Sequence, residues 1–181
     1  MTTAPLILYD YWRSSACYRV RIALNLKKLA YTHKPVHLLK DGGQQHGADY
    51  RGVNPQEVIP ALVDGQRVIR QSLAIIEYLD DAYADAPTLL PVGARDRAHV
   101  RALALLVACD IHPLNNRRVM QYLERGLAAE ADARSRWTRH WMEEGFRAFE
   151  ARLVGDTATG TFCHGDAPTL ADACLVPQLY N

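Results

Sequence analysis

Two adjacent serines stand where a short apolar segment gives way to a helical pattern. Ser14 and Ser15 follow the strand-like run of residues 6–11, and apolar side chains then recur at helical spacing up to residue 28. Serine is a good helix cap, and the first turn of a helix presents free backbone N–H groups and a partial positive charge. The junction therefore predicts a place that stabilises an anion: a phosphate, a carboxylate or a thiolate.

The glycine content argues against the phosphate. Phosphate loops at such a junction are rich in glycine, because the backbone must approach the ligand closely. No glycine occurs between Met1 and Lys40, so a nucleotide site is disfavoured. For a serine pair taken alone, a helix cap that carries no chemistry is the commoner role.

Composition narrows the class of protein. The chain has 181 residues, 49% of them hydrophobic, which is enough for one large domain or two small ones. The net charge of +1 and the absence of a long apolar run give no case for nucleic acid or a membrane. The cysteines form no C-x-x-C pair, Cys163-His164 is too isolated for zinc, and no secretory signal is present. We therefore expect a cytoplasmic protein without a metal.

Strand and helix patterns alternate in the first part of the chain. The predicted strands cover residues 6–11, 32–38, 61–63 and 67–69, and the predicted helices cover residues 15–28 and 72–83. Asp64-Gly65 predicts a hairpin turn between the last two strands. This order predicts a small α/β domain with a mixed sheet.

The remainder of the chain has only helical patterns. The predicted helices cover residues 95–123, as one helix or two, then residues 131–153, and a third begins at Thr169. Pro113 should kink the first, and Thr169 with Asp172 resembles a capping box. The last apolar helix reaches Asn181 without a stop signal, from which we expect the chain to be incomplete at its C-terminus. The predicted domains are residues 1–86 and 95–181, joined by a linker over residues 87–94.

Four segments resemble the glutathione transferases. Asn54-Pro55 with Val58-Ile59-Pro60, and the segment Gln71–Leu79, are similar to many members of that family. Arg13–Leu24 and Asp110–Asn116 together resemble the zeta class, whose members are maleylacetoacetate or maleylpyruvate isomerases. The resemblance covers the whole chain. It implies a thioredoxin-like domain with a mixed four-stranded sheet, followed by an all-α, helical-bundle domain for the substrate.

The resemblance implies that Ser14 activates the thiol of glutathione. A hydroxyl hydrogen bond and the helix N-terminus could lower the pKa of a thiol from about 8.5 by roughly two, which makes thiolate the major form near neutral pH. Ser15 either shares this task or only caps the helix. The resemblance also implies a cis peptide before Pro60, so that the backbone of Ile59 pairs with glutathione like an added strand. The alternative is an ordinary trans proline at a strand start.

Other residues are implied to hold the two ends of glutathione. The N-terminus of the helix that begins at Gln71 and Ser72 suits the γ-glutamyl carboxylate, although Ser72 as a plain cap is the simpler interpretation. Lys40 and Gln45 lie in the loop after the second strand, and the resemblance lets them reach the glycyl end. His112 is assigned to glutathione as well as to the substrate.

A maleyl diacid requires cations at its acidic groups. Arg13 adjoins the thiol-activating serine, and a bidentate arginine suits a carboxylate. His112, Asn116 and Arg117 are spaced to share one broad helix face, and the resemblance assigns them to the substrate. The plainer alternatives are a solvated Arg117-Arg118 pair and a packing role for His112.

One position departs from the family pattern. Ser-Ser-Cys is usual at the start of the first helix, but here Ala16 takes the third place and the cysteine is Cys17. A shift of one residue turns a helix side chain by about a quarter turn, so the role of the family cysteine does not carry over to Cys17. Ser14-x-x-Cys17 lacks the first cysteine of a redox pair, which disfavours thiol–disulfide chemistry. Arg19 and Arg21 are expected to be solvent-facing or ion-paired.

The resemblance implies a glutathione-dependent cis–trans isomerase of a maleyl diacid in aromatic-compound breakdown. Thiolate addition makes the double bond single, the bond rotates as charge spreads into an enolate, and the thiolate leaves. A transferase that conjugates glutathione to electrophiles or halo-acids is the first alternative, and a non-catalytic glutathione-binding protein is another. A homodimer is implied by resemblance alone. The sequence does not choose between maleylacetoacetate and maleylpyruvate.

Overall fold

Residues 5–180 are described by the computed structural model of the chain. They divide into two units, of which the first reaches Leu90 and includes Leu179 and Tyr180, and the second covers Pro91–Gln178. The assignment of residues 1–86 to glutathione and of residues 95–181 to the substrate stays a prediction. Asn181, where the last predicted helix meets the chain end, lies outside the described residues. Within the described range no helix is both long and apolar enough to cross a membrane.

A mixed four-stranded sheet organises the first unit. The strands are β1 (Leu6–Asp10), β2 (Tyr31–Pro35), β3 (Ala61–Asp64) and β4 (Arg67–Arg70), in the order β2-β1-β3-β4. β1 is parallel to β2, whereas β3 is antiparallel to both β1 and β4. The predicted mixed sheet is confirmed. β2 ends earlier than predicted, because the His37 N–H donates to the side chain of Gln44 instead of continuing a strand.

Three α-helices complete this unit: α1 (Ser15–Leu26), α2 (Ala48–Val53) and α3 (Ser72–Ala82). α1 packs against α3, and the fully buried side chains of the two helices are Cys17, Val20, Ala23, Leu24, Ile75, Ile76 and Leu79. Short 3-10 turns at Lys40–Gly42 and Gln44–His46 lead into α2. α2 was not predicted, since a six-residue helix is too short to show a helical period.

Lys27 closes α1 with a buried ion pair. Its Nζ donates to Asp80 Oδ1 at 2.9 Å and to the Pro87 carbonyl at 3.0 Å. Asp80, on α3, also accepts hydrogen bonds from the backbone N–H groups of Leu89 and Leu90. The pair therefore joins the end of α1 to α3 and to the last segment of the first unit.

Lys27→Met is expected to lower the free energy of unfolding by about 3 kcal/mol or more, because removing one partner leaves the Asp80 carboxylate buried without its cation. Lys28→Met, at the exposed neighbouring position, is the matched control and should change stability by less than about 0.5 kcal/mol. Urea unfolding followed by circular dichroism compares the two variants. Equal losses would show that the ion pair contributes nothing specific.

The second unit is helical, with α4 (Ala94–Leu105), α5 (Arg117–Arg125), α6 (Ala131–Val154) and α7 (Leu170–Leu179). Between α4 and α5 the chain forms a π-helical segment, Leu106–Ile111, and a 3-10 turn, His112–Asn115. The predicted helix over residues 95–123 is therefore two helices, and the π-helical segment and the 3-10 turn separate them. Pro113 supplies no N–H, and Asn116 has extended backbone angles, φ −72° and ψ 160°.

Two local features fix the packing of this unit. A Cβ on Gly145 of α6 would lie 2.2 Å from Ile111 Cγ1, so only glycine lets α6 approach the π-helical segment this closely. At the start of α7, Asp172 Oδ2 accepts hydrogen bonds from the N–H and O–H of Thr169, at 2.7 and 2.8 Å. This contact is the acidic half of the predicted capping box.

Candidate functional site

Ser14 caps α1 and keeps its proton available. Its Oγ accepts a hydrogen bond from the Cys17 N–H at 3.2 Å, and its own N–H donates to the Tyr11 carbonyl at 2.9 Å. A hydroxyl that accepts one bond can still donate its proton, so capping and donation to a thiolate are compatible. Ser14 is half-buried and Ser15 is buried in the first turn. The predicted helix start is confirmed, while the catalytic roles of both serines stay predictions.

Cys17 is unsuited to act as a nucleophile. Its side chain is fully buried, and burial, reinforced by the nearby Asp10 carboxylate, raises the pKa of its thiol well above the ordinary value. A protonated, enclosed thiol is neither a good nucleophile nor a good redox group. The contribution of Cys17 to the site is its backbone N–H, which holds the Ser14 hydroxyl.

The loop before β3 has the predicted cis peptide between Ile59 and Pro60. The carbonyl of Val58 accepts hydrogen bonds from the Tyr50 hydroxyl at 2.7 Å and from Asn54 Nδ2 at 2.6 Å. Burial raises the pKa of Tyr50, so its hydroxyl keeps the proton that it donates. Within residues 5–180 the Ile59 backbone has no hydrogen-bond partner, as the predicted pairing with a peptide ligand requires.

The N-terminus of α3 is built differently from the predicted serine cap. The cap residue is Gln71, with φ 71° and ψ 122°, and its side chain makes no capping bond to the helix. Ser72 is buried, and its hydroxyl accepts a hydrogen bond from Arg19 Nη1 at 3.3 Å. The plain-cap interpretation of Ser72 is therefore wrong. The first N–H groups of α3 lack a side-chain cap, which suits a bound anion.

Arg19 and Arg21 have different environments on α1. Arg21 is ion-paired as expected, with Nη1 at 2.7 Å from Asp10 Oδ1. Arg19 is not solvent-facing: it is only 2% exposed, and its Nη1 donates to the Ser72 hydroxyl. Ser15 and Ala23 lie four residues before and after Arg19, and their small size is the sequence pattern that could have indicated a buried helix face here.

The loop after β2 places one of its two predicted residues in the interior. Lys40 is exposed, whereas Gln45 is buried and its Oε1 has no hydrogen-bond partner among the described residues. A Cβ on Gly43, where φ is 106°, would lie 2.6 Å from Gln45 Nε2, so the glycine makes room for the amide. A buried acceptor without a partner fits a role in holding the peptide groups of glutathione.

Arg13 precedes the cap of α1 and is exposed. Its guanidinium lies over the ring of Trp12, 5.5 Å from the ring centroid. The indole is itself 68% exposed, and stacking on its face orients the cation while leaving the guanidinium edge accessible. The guanidinium of Arg13 is therefore accessible to a carboxylate, and its assignment to the substrate stays a prediction.

The second unit contradicts the predicted shared helix face. His112 opens the 3-10 turn, with Nδ1 3.3 Å from Gln178 Oε1. Asn116 is the cap of α5, and its Oδ1 accepts hydrogen bonds from the N–H groups of Arg118 and Val119. Arg117 is the exposed first residue of α5. Because the cap interrupts the helix, spacing by four no longer places His112 and Asn116 on one face.

Two amide side chains in the second unit were not predicted. Gln178 is fully buried and contacts His112, and both polar atoms of Asn115 are buried without a hydrogen-bond partner among the described residues. The burial of these two side chains depends on packing between distant segments, which a single sequence does not show. The described residues include no group of three or more His, Cys, Asp or Glu side chains placed to hold a metal ion.

A thioredoxin-like unit with a cis-proline loop, followed by a separate helical unit, is the architecture of a glutathione transferase. The model of the glutathione S-transferase N-terminal domain matches residues 8–87. A probable maleylacetoacetate isomerase of Vibrio cholerae is 52% identical over 97% of this chain and 80% of that protein.

Solved structures of the same family also resemble this chain. A maleylpyruvate isomerase described as a bacterial zeta-class glutathione transferase superposes with TM-score 0.91 at 46% identity, over 96% of this chain and 81% of that one. The maleylacetoacetate isomerase of Methylobacterium extorquens AM1, solved with malonate and glutathione bound, has TM-score 0.90 at 41% identity, over 96% and 80% of the two chains. The chain belongs to the zeta class of the glutathione transferase family.

Proposed function

We propose that this protein is a glutathione-dependent isomerase that converts a maleyl diacid, maleylacetoacetate or maleylpyruvate, to its fumaryl isomer. The observation that carries the proposal is the Ser14 hydroxyl at the N-terminus of α1, held by the Cys17 N–H with its own proton available. Relatives that are 52% and 47% identical over most of the chain bear isomerase names. The Methylobacterium extorquens AM1 isomerase, 41% identical, was solved with malonate, a dicarboxylate, bound together with glutathione.

The residues of the first unit provide a place for each part of glutathione. Ser72 and the uncapped N-terminus of α3 receive the γ-glutamyl carboxylate, and the unpaired Ile59 backbone receives the cysteinyl peptide. Lys40 and the buried Gln45 Oε1 serve the glycyl end. When bound, glutathione supplies a thiolate that adds reversibly to the cis double bond, so that the bond can rotate.

Side chains and a helix N-terminus of the protein stabilise the negative charges of the thiolate and of the substrate. Ser14 donates a hydrogen bond to the thiolate sulfur, and the N-terminus of α1, with Ser15 in its first turn, favours the negative charge there. Arg13 is assigned to a carboxylate of the substrate. The family resemblance, rather than a shared helix face, assigns Arg117, His112 and Asn116 to the substrate as well. Guanidinium groups also stabilise the enolate charge that develops as the bond rotates.

An absorbance assay with maleylpyruvate and with maleylacetoacetate, each with and without glutathione, tests the proposal and separates the two substrates. We expect turnover of at least one of them only when glutathione is present. Turnover that does not depend on glutathione would contradict the proposal. Conjugation of neutral electrophiles or halo-acids with no turnover of either diacid would favour the transferase alternative, and binding of glutathione without any turnover would favour a binding protein.

The setting of the enzyme is proposed from the class alone. We place it in the cytoplasm, in the breakdown of aromatic compounds, because ring cleavage generates maleyl diacids with a cis double bond.

We also propose a homodimer. A groove of about 900 Å³ on the second unit, lined by Met120, Met142 and Phe146, offers apolar surface for a second copy, and light scattering in solution tests the oligomeric state.

A further inference from the structure

A chain of three polar side chains links the turn before α2 to the loop before β3. Gln45 Nε2 lies 2.9 Å from His46 Nε2, and the other ring nitrogen, His46 Nδ1, pairs with Glu57 Oε2. Arg51, on α2, has its Nε 2.7 Å from Glu57 Oε1. The other charged side chains of α2 and of the preceding turn are exposed: Lys40, Asp41 and Asp49. The chain ends on Gln45, which is only 6% exposed.

The charge of Glu57 decides the direction of each hydrogen bond. The hydrogen bond from His46, reinforced by Arg51, lowers the pKa of Glu57, so this carboxylate is ionised and can only accept. His46 therefore carries a proton on Nδ1. In a neutral imidazole the second nitrogen, Nε2, is then an acceptor, and the group that donates to it is the NH2 of Gln45.

This order of donors decides which atom of the Gln45 amide remains for a ligand. Because its NH2 is bound to His46, the amide directs Oε1 away from the ring, and that oxygen is buried with no partner among the described residues. A buried acceptor of this kind is complementary to an N–H donor. When His46 takes up a second proton, Nε2 becomes a donor, and the amide must turn its oxygen to the ring and present its NH2 instead.

We propose that His46 is a positioning residue that sets the Gln45 amide to accept a hydrogen bond from the glycyl N–H of glutathione, and that protonation of His46 reverses this setting. The inference rests on the proposed assignment of glutathione to this unit. It adds that the protein prefers an amide to an ester at the glycyl end, and that this preference depends on pH. Histidine ordinarily changes its charge between about pH 5 and 8.

The test compares glutathione with γ-glutamyl-cysteinyl-glycolate, in which an ester oxygen replaces the glycyl N–H. Calorimetry from about pH 5 to about pH 8 gives the ratio of the two dissociation constants. The ionisation of the thiol cancels from this ratio, because both ligands carry the same thiol. At about pH 8 we expect the wild-type protein to bind glutathione roughly three- to tenfold more tightly, the range for one neutral hydrogen bond. The ratio should fall towards one at about pH 5, where the amide presents its NH2.

Two variants test the part played by the histidine. His46→Phe keeps a planar ring and removes both nitrogens, so it should lower the preference for glutathione at high pH and abolish its change with pH. His33→Phe is the matched control, because His33 also lies against a carboxylate in this unit, with Nε2 3.2 Å from Asp10 Oδ2. The control should leave the preference and its pH dependence unchanged.

A double variant tests the route through Gln45. Gln45→Ala with His46→Phe should lose little more affinity for glutathione than Gln45→Ala alone, because the two residues act as one unit. Additive losses would overturn the inference, as would equal weakening of both ligands by His46→Phe or a wild-type preference that does not change with pH. Failure of the wild-type protein to bind either ligand would instead remove the proposed function, and with it the inference. The wild-type pH profile needs no variant, so it decides the matter if His46→Phe does not fold.

Discussion

Ser14→Ala is expected to lower turnover of the diacid about ten- to a hundred-fold, the cost of losing one hydrogen bond to a charged sulfur in the transition state. Cys17→Ala should change turnover far less, because the Cys17 thiol is buried and protonated. The Cys17 N–H that holds Ser14 is a backbone group and survives that substitution. Steady-state kinetics of both variants at matched glutathione concentrations give the comparison.

The loss of a helix cap must be separated from the loss of thiol activation. Ser14→Ala also removes the α1 cap and should lower stability by about 1 kcal/mol, which thermal unfolding measures. The effect on thiol activation is measured by the thiolate absorbance of bound glutathione as a function of pH. The pKa of the glutathione thiol should rise towards the free value of about 8.5 in Ser14→Ala but not in Cys17→Ala. If Cys17→Ala proves the more damaging change, the assignment of thiol activation to Ser14 is wrong.

Arg13→Met and Arg117→Met are expected to reduce turnover of a maleyl diacid about ten- to a hundred-fold each, since each removes a charge-assisted contact to a carboxylate. Methionine keeps much of the apolar stem, so the effect reports the charge. Both arginines are exposed, and neither belongs to the residues proposed to hold glutathione. Affinity for glutathione should therefore stay near normal, and turnover of neutral electrophiles should fall less.

Arg118→Met is the matched control for Arg117, because it removes the same charge one residue further along α5 at another exposed position. It should leave diacid turnover close to normal. Calorimetry with glutathione, beside kinetics on charged and neutral substrates, measures all three variants. Equal losses for both substrate types, or collapse of glutathione binding, would remove the arginines from the acceptor site.

The parts of the site that local sequence could predict are those in which neighbouring residues decide the geometry. The cap at Ser14, the start of α3 at Ser72 and the succession of strands and helices in the first unit follow from caps, periodicity and turns within a few residues. The cis peptide at Pro60 was predicted from resemblance, and the structure contains it. Family resemblance also supplied glutathione, which no pattern of residue types identifies by itself.

The features that sequence missed depend on distant contacts or on a competing local bond. The buried Arg19 contacts Ser72, 53 residues later in the chain, and the contact between His112 and Gln178 spans 66 residues. The predicted helix face failed because the Asn116 side chain satisfies the N–H groups of Arg118 and Val119, which starts a new helix instead of continuing the old one.

The most direct test of the proposed reaction is the thiol balance during turnover. Free thiol is titrated while the fumaryl product is followed by nuclear magnetic resonance, with glutathione present at much lower concentration than the diacid. Because the thiolate leaves again when the isomer is formed, we expect many product molecules per glutathione and an unchanged thiol concentration. Loss of one thiol for each diacid consumed would contradict isomerisation and identify a conjugating transferase.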